Sequence, residues 1–164
     1  MKREMPWPAE GLITGFIGYL TVAIFFAAMN LFAGEGLFHT PALLGSALFS
    51  TGGEEGTLLR GPAPIIAYNG IHLLVSLLIG LAAAWLVFQT ERNRPLWFAI
   101  FLVFLAGFIY SVAFMGIFAA ELAYLLSWPV IVVANLMAGI TAGGYLWWRH
   151  DRLWAELREA SGRE

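Results

Sequence analysis

Four apolar stretches, each long enough to cross a bilayer, occupy most of this 164-residue chain, and they set its solvent before any other feature is weighed. They run approximately over Gly11–Ala33, Pro64–Gln89, Leu96–Ala120 and Trp128–Trp148. At 1.5 Å of rise per residue, twenty such residues in a helix span a hydrocarbon core of about 30 Å. Only 12% of residues are charged and 60% are hydrophobic, against about a quarter charged in a soluble domain. The expected fold is all-α: a single integral membrane domain over 1–164 built as a four-helix transmembrane bundle.

The charges between the stretches are unevenly placed. Lys2 and Arg3 precede the first, Arg92 and Arg94 lie between the second and third, and Arg149, Arg152, Arg158 and Arg163 follow the fourth. The 34–63 connection sets Arg60 against Glu35, Glu54 and Glu55, and the 121–127 connection has Glu121 at its edge and no basic residue. The positive-inside rule then places both termini in the cytoplasm, in what is expected to be a bacterial cytoplasmic membrane. Trp7, Trp85, Trp97, Trp147 and Trp148 fall at the inner interface and Trp128 at the outer one, as an aromatic belt requires. Lys2 and Arg3 ahead of an apolar run also fit a signal peptide, but the run exceeds the 7–15 residues of an h-region, so a retained first helix is expected.

Pro64, Pro95 and Pro129 open the second, third and fourth spans, where a missing N–H costs nothing. In the 34–63 connection, Thr40–Pro41 reads as an N-cap followed by proline, opening a short helix over Ala42–Phe49. It is too short to span and carries no charge, so it should lie in the outer interface or dip toward the bundle. Beyond the fourth span, residues 149–163 read as an amphipathic helix with Leu153, Trp154 and Leu157 on its apolar edge.

Small residues mark where helices can approach closely. Gly11, Gly15 and Gly18 form one stripe, and Gly139 and Gly143 repeat the spacing on the last span. In lipid, backbone approach and van der Waals contact supply the adhesion that apolar burial supplies in water. These stripes serve either packing within the bundle or docking on another protein's helix.

Polar groups inside a bilayer are costly, so their positions are the best functional clue. Asn30, Tyr68, Asn69, His72, Glu121 and Asn135 all fall toward the outer side, with His39 in the adjoining loop. Asn69, His72, Ser76 and Ala83 share a face of the second span, Gly107, Tyr110, Phe114 and Glu121 a face of the third, and Asn135, Ala138, Gly139 and Ala142 a face of the fourth. The expectation is a shallow outer polar pocket, with Glu121 level with Asn135 and the short helix as its cover. The inner half is expected to hold no comparable cluster, and the first span no charge.

Whole function classes drop out. With no cysteine there is no thiolate metal site, iron–sulfur cluster or thiol chemistry. A net charge of −2 without a basic run gives no nucleic-acid partner. Nothing resembles a P-loop, nucleophile elbow, zincin helix or dinucleotide fingerprint. The leading expectation is a non-catalytic accessory subunit of a larger membrane complex, an energy-transducing one being the class in view, with lipid and other membrane subunits as partners. The alternative is a proton-coupled small transporter working through His72 and Glu121. No cofactor is expected; the further alternative is a b-type haem held between His39 and His72.

Overall fold

The computed structural model of the chain describes residues 5–49, 61–92 and 127–150, all helical apart from short turns. Helix α1 covers Trp7–Phe32, α2 His39–Phe49, α3 Pro62–Arg92 and α4 Trp128–Arg149. Three of the four, α1, α3 and α4, are long and apolar enough to cross a membrane. At 1.5 Å per residue they measure about 39, 46 and 33 Å, against a core of about 30 Å. The expected span 96–120, Glu121 and the amphipathic segment beyond His150 lie outside the described residues.

Proline sets the helix starts. Pro6 is the extended N-cap of α1, with Pro8 in its first turn, and Ser127 and Pro129 do the same for α4. The first span therefore begins at Trp7 rather than Gly11, and the added turn brings Glu10 into the helix. Contrary to expectation, α1 does contain a charge. Helix α3 likewise begins at Pro62 rather than Pro64, directly after Gly61 at φ +129°, a conformation that a side chain disfavours.

Helix α1 runs antiparallel to both α3 and α4, which lie parallel to one another. Its seam with α3 is built on glycine. A Cβ on Gly11 would stand 2.7 Å from Leu81 Cα, one on Gly15 2.6 Å from Leu77 Cα, and one on Gly80 2.5 Å from Gly15 Cα. Only hydrogen fits at these positions, so the backbones touch. Gly18, Gly139 and Gly143 are different: among the described residues no atom lies within 4 Å of where their Cβ would stand. Gly18 sits outside the seam its neighbours form, and the stripe on α4 faces away. Among the described residues the buried positions of α4 are Ile131, Ala134 and Leu146, with Asn135, Ala138 and Ala142 partly covered and Gly139 exposed. Leu146 packs on Ala83 and Ala84 of α3, with Val87 and Tyr145 beside them.

The outer surfaces of the long helices are apolar on nearly every side. Ile24, Ile66 and Ile140 are 65%, 68% and 73% exposed. Helices apolar all round and left uncovered fit hydrocarbon as their solvent.

The turn between α1 and α2 is tight, with Gly34 at φ +77° and the Glu35 N–H closing onto the Asn30 carbonyl at 2.8 Å. Helix α2 then folds back and packs mainly on α3, where Gly45 meets the backbone of Pro64. It starts at His39, earlier than the Ala42 expected, and Thr40 is inside it rather than its cap. The reason is that the Thr40 hydroxyl has a better use: it donates to the Asn30 side chain at 2.7 Å.

Candidate functional site

Two polar clusters lie at opposite ends of the described bundle. The first is at the α2 end. Asn30, buried near the C-terminus of α1, has both halves of its amide engaged: Oδ1 accepts from Thr40 and Nδ2 donates to the Leu37 carbonyl at 3.1 Å. One side chain thereby pins the first turn of α2 to the last turn of α1. About three turns lower on α1, the Tyr19 hydroxyl donates to Asn69 Oδ1 at 3.1 Å, while Asn69 Nδ2 donates to the Ile65 carbonyl of its own helix at 2.8 Å. His72 sits one turn along α3 from Tyr68 and between two tyrosines, its ring centroid 5.3 Å from Tyr19 and 5.8 Å from Tyr68.

Between these groups is a cavity of about 50 Å³. Val22, Ala23, Phe26 and Ala27 of α1 form one wall, Tyr68, Asn69 and His72 of α3 another, and Leu37, Phe38, Thr40 and Pro41 close the top. A drug-sized ligand needs a pocket of roughly 300–1,000 Å³, so this one admits only something far smaller.

The expected residues are therefore partly gathered. Tyr68, Asn69 and His72 line one cavity, and Asn30 reaches it through Thr40. Asn135 is not part of it: its Nδ2 donates to the Ile131 carbonyl of its own helix at 2.9 Å. Whether Asn135 also meets Glu121 falls outside the described residues. His39 Nδ1 lies 3.3 Å from Glu35 Oε2, and among the described residues His39 does not line the cavity at His72. Among the described residues no three His, Asp or Glu side chains converge as metal ligands would.

Tyr19 was missed by the sequence reading. Its signal was available, because Gly11, Gly15 and Tyr19 follow one another at i, i+4 and i+8 and so share the face that meets α3.

The second cluster is at the opposite end, where no cluster was expected. Glu10 is 5% exposed and its Oε1 lies 3.2 Å from His150 Nε2 and 3.5 Å from Arg149 Nε. These are ionic distances without hydrogen-bond alignment: Glu10 Oε1 and Arg149 Nε are both buried and complete no hydrogen bond among the described residues. Thr14, one turn on, returns its hydroxyl to the Glu10 carbonyl at 2.8 Å. The cluster joins the first turn of α1 to the last turn of α4. Higher on the same pair of helices, the hydroxyls of Thr21 and Thr141 lie 2.8 Å apart. No family model, curated protein or solved structure matches the chain.

Proposed function

We propose that this chain is a multi-pass, non-catalytic subunit that helps hold a larger membrane complex together, with an energy-transducing complex as the class to examine first. One observation carries the reading: four polar ties spread along the described spans each fasten one helix to another. Tyr19 is tied to Asn69, Thr21 to Thr141, Asn30 to Thr40, and Glu10 to Arg149 and His150. Intramembrane polar residues that do chemistry usually converge on a water-filled cavity or a substrate path. These are instead distributed along the seams, which suits a part whose task is to keep its shape. The open Gly139/Gly143 face of α4, small and uncovered by the described residues, supplies a surface on which a neighbouring subunit's helix could pack closely.

The orientation that goes with this reading has both termini in the cytoplasm and α2 on the far side. It rests on the Lys/Arg distribution. Native mass spectrometry of the protein extracted gently from its own membrane tests the reading. Additional protein subunits bound to the chain are the expected result. A chain that leaves the membrane alone, as a monomer, would overturn it.

A second reading has a specific observation in its favour. His72 lines a cavity inside a span, and imidazole titrates nearest neutrality of the side chains. In proteoliposomes loaded with a pH-sensitive dye, a proton carrier would acidify the lumen down an imposed gradient. His72→Ala and Glu121→Gln would abolish that flux, and flux unchanged in both variants would remove this reading.

A further inference from the structure

We propose that the cavity beneath the first turn of α2 is a gated site for bound water, held by His72 and Tyr68, with α2 as its lid and Asn30 as its latch. Four polar side chains line the cavity: Thr40, Tyr68, Asn69 and His72. Both ends of the Asn69 amide already have a partner, Oδ1 accepting from Tyr19 and Nδ2 donating to the Ile65 carbonyl, and the Thr40 hydroxyl proton is committed to Asn30. The imidazole of His72 and the hydroxyl of Tyr68 make ring contacts but no hydrogen bond to protein among the described residues. Such groups are costly to leave unsatisfied in an apolar interior. A water needs roughly 10–15 Å³ of this kind of space and two to four polar partners. About 50 Å³ exceeds the first requirement. His72, Tyr68 and the spare lone pairs of Thr40 meet the second. The volume also bounds the guest from above, since a cavity that holds benzene measures about 150 Å³.

The lid follows from how α2 is attached. Its middle is fixed to α3, where Gly45 lies against the backbone of Pro64. The first turn, carrying Thr40 and Pro41, and Leu37 and Phe38 just before it lie over the cavity and are held to α1 by the two side-chain bonds of Asn30. Behind it lies the turn at Gly34, whose φ of +77° lets the chain reverse there. Breaking the Asn30 bonds releases the first turn while leaving the Gly45 anchor in place. Asn30 is a positioning residue for His72, acting through the lid.

The test uses the full chain in lipid nanodiscs, with diethyl pyrocarbonate as the probe and mass mapping of the modified histidines. In the wild type, His72 should react at least tenfold more slowly than the half-exposed His39. Asn30→Ala should raise the His72 rate about tenfold, the change in opening expected when two ordinary hydrogen bonds are lost, and leave His150 unchanged. Thr40→Val should act in the same direction and Thr40→Ser should restore the wild-type rate. Thr40→Val carries the test by itself if Asn30→Ala loses helical content. Water-edited NMR on histidine-labelled protein in bilayers should show transfer from water to the His72 ring. Equal His39 and His72 rates in the wild type, or a His72 rate indifferent to Asn30 and Thr40, would overturn the lid. Absence of water transfer to His72 while His39 shows it would overturn the guest.

Discussion

Adding one methyl group to Gly15 should loosen the bundle by about 2 kcal/mol, whereas the same change three residues away should not. A Cβ on Gly15 would stand 2.6 Å from Leu77 Cα and 2.9 Å from the Ser76 carbonyl carbon, with the Ser76 oxygen closer still. Carbon atoms in ordinary contact keep about 3.5–4.0 Å, and the atoms in the way are backbone, so no rotamer change relieves the overlap. Helices α1 and α3 must therefore separate by about 1 Å. A gap of 0.5–1 Å forfeits a quarter to a half of each contact, and each contact is worth about 0.1–0.2 kcal/mol. If the crossing holds about as many atom pairs as a buried leucine, roughly 40–60, the loss is about 1–6 kcal/mol, about 3 kcal/mol at mid-range. Alanine's better helix propensity returns up to about 1 kcal/mol, leaving a net of about 2 kcal/mol.

Gly18→Ala gains the same propensity with nothing among the described residues within 4 Å of the new methyl. It should be neutral or stabilising by up to about 1 kcal/mol. Reversible unfolding by SDS in mixed micelles, followed by far-UV circular dichroism, measures both variants on one scale. Gly80→Ala should resemble Gly15→Ala, because a Cβ there meets the Gly15 and Gly11 backbones. The Gly15/Gly80 double variant should cost less than the sum, since the helices need part only once. Gly15→Ala as stable as Gly18→Ala would refute the reasoning, and with it the α1–α3 seam.

Three further outcomes follow from the same contacts. Glu10→Leu should cost about 3 kcal/mol in the same assay, because it leaves Arg149 beside an apolar side chain, while Glu10→Leu with Arg149→Leu should recover most of that loss. Tyr19→Phe should cost about 0.6–1 kcal/mol, and a double-mutant cycle with Asn69→Leu should return that value as the coupling energy. The chain has no cysteine, so single cysteines report sidedness without background: Met5→Cys should react with an impermeant maleimide only from the cytoplasmic face and Gly36→Cys only from the opposite one.

Three of the four expected spans were legible in the sequence because their signal is an average over twenty residues, which survives errors at the ends. The ends themselves were not. Reading α1 from Gly11 instead of Trp7 put Glu10 outside the helix, and a buried carboxylate was missed through a single turn of helix. Counting Arg149 and His150 along an antiparallel partner would have set them level with Glu10, but only once that turn was included. At the other end, Thr40 before Pro41 carried a correct local cap signal that a tertiary bond to Asn30 overrode. Asn69 and His72, read as sharing a face, both line the cavity, while their partner Tyr19 lay hidden in a stripe read only for its glycines. The α4 glycines illustrate the remaining limit. Spacing identifies a surface that can be approached closely without saying which helix approaches it.

The position of the glycine seam also bears on what the two polar clusters can do together. Gly11, Gly15 and Gly80 bring the backbones of α1 and α3 into contact between the Glu10 cluster at one end and the His72 cavity at the other. A Cβ does not fit there, and backbones in direct contact leave no room for the probe sphere of about 1.4 Å that a water occupies. Thr14, the polar side chain on α1 nearest Glu10 in that direction, turns its hydroxyl back to its own helix instead of bridging onward. Among the described residues, the contact at Gly11, Gly15 and Gly80 leaves water no route from one cluster to the other along the α1–α3 face. A proton entering at His72 would have to leave by the end at which it entered, or cross along a different pair of helices. This separation favours reading the clusters as two independent fasteners, one closing α2 over α1 and α3, the other closing α4 onto α1. A carrier built on this chain would need its path elsewhere, and proton flux in a Gly15→Ala variant equal to that of the wild type would be consistent only with such a path.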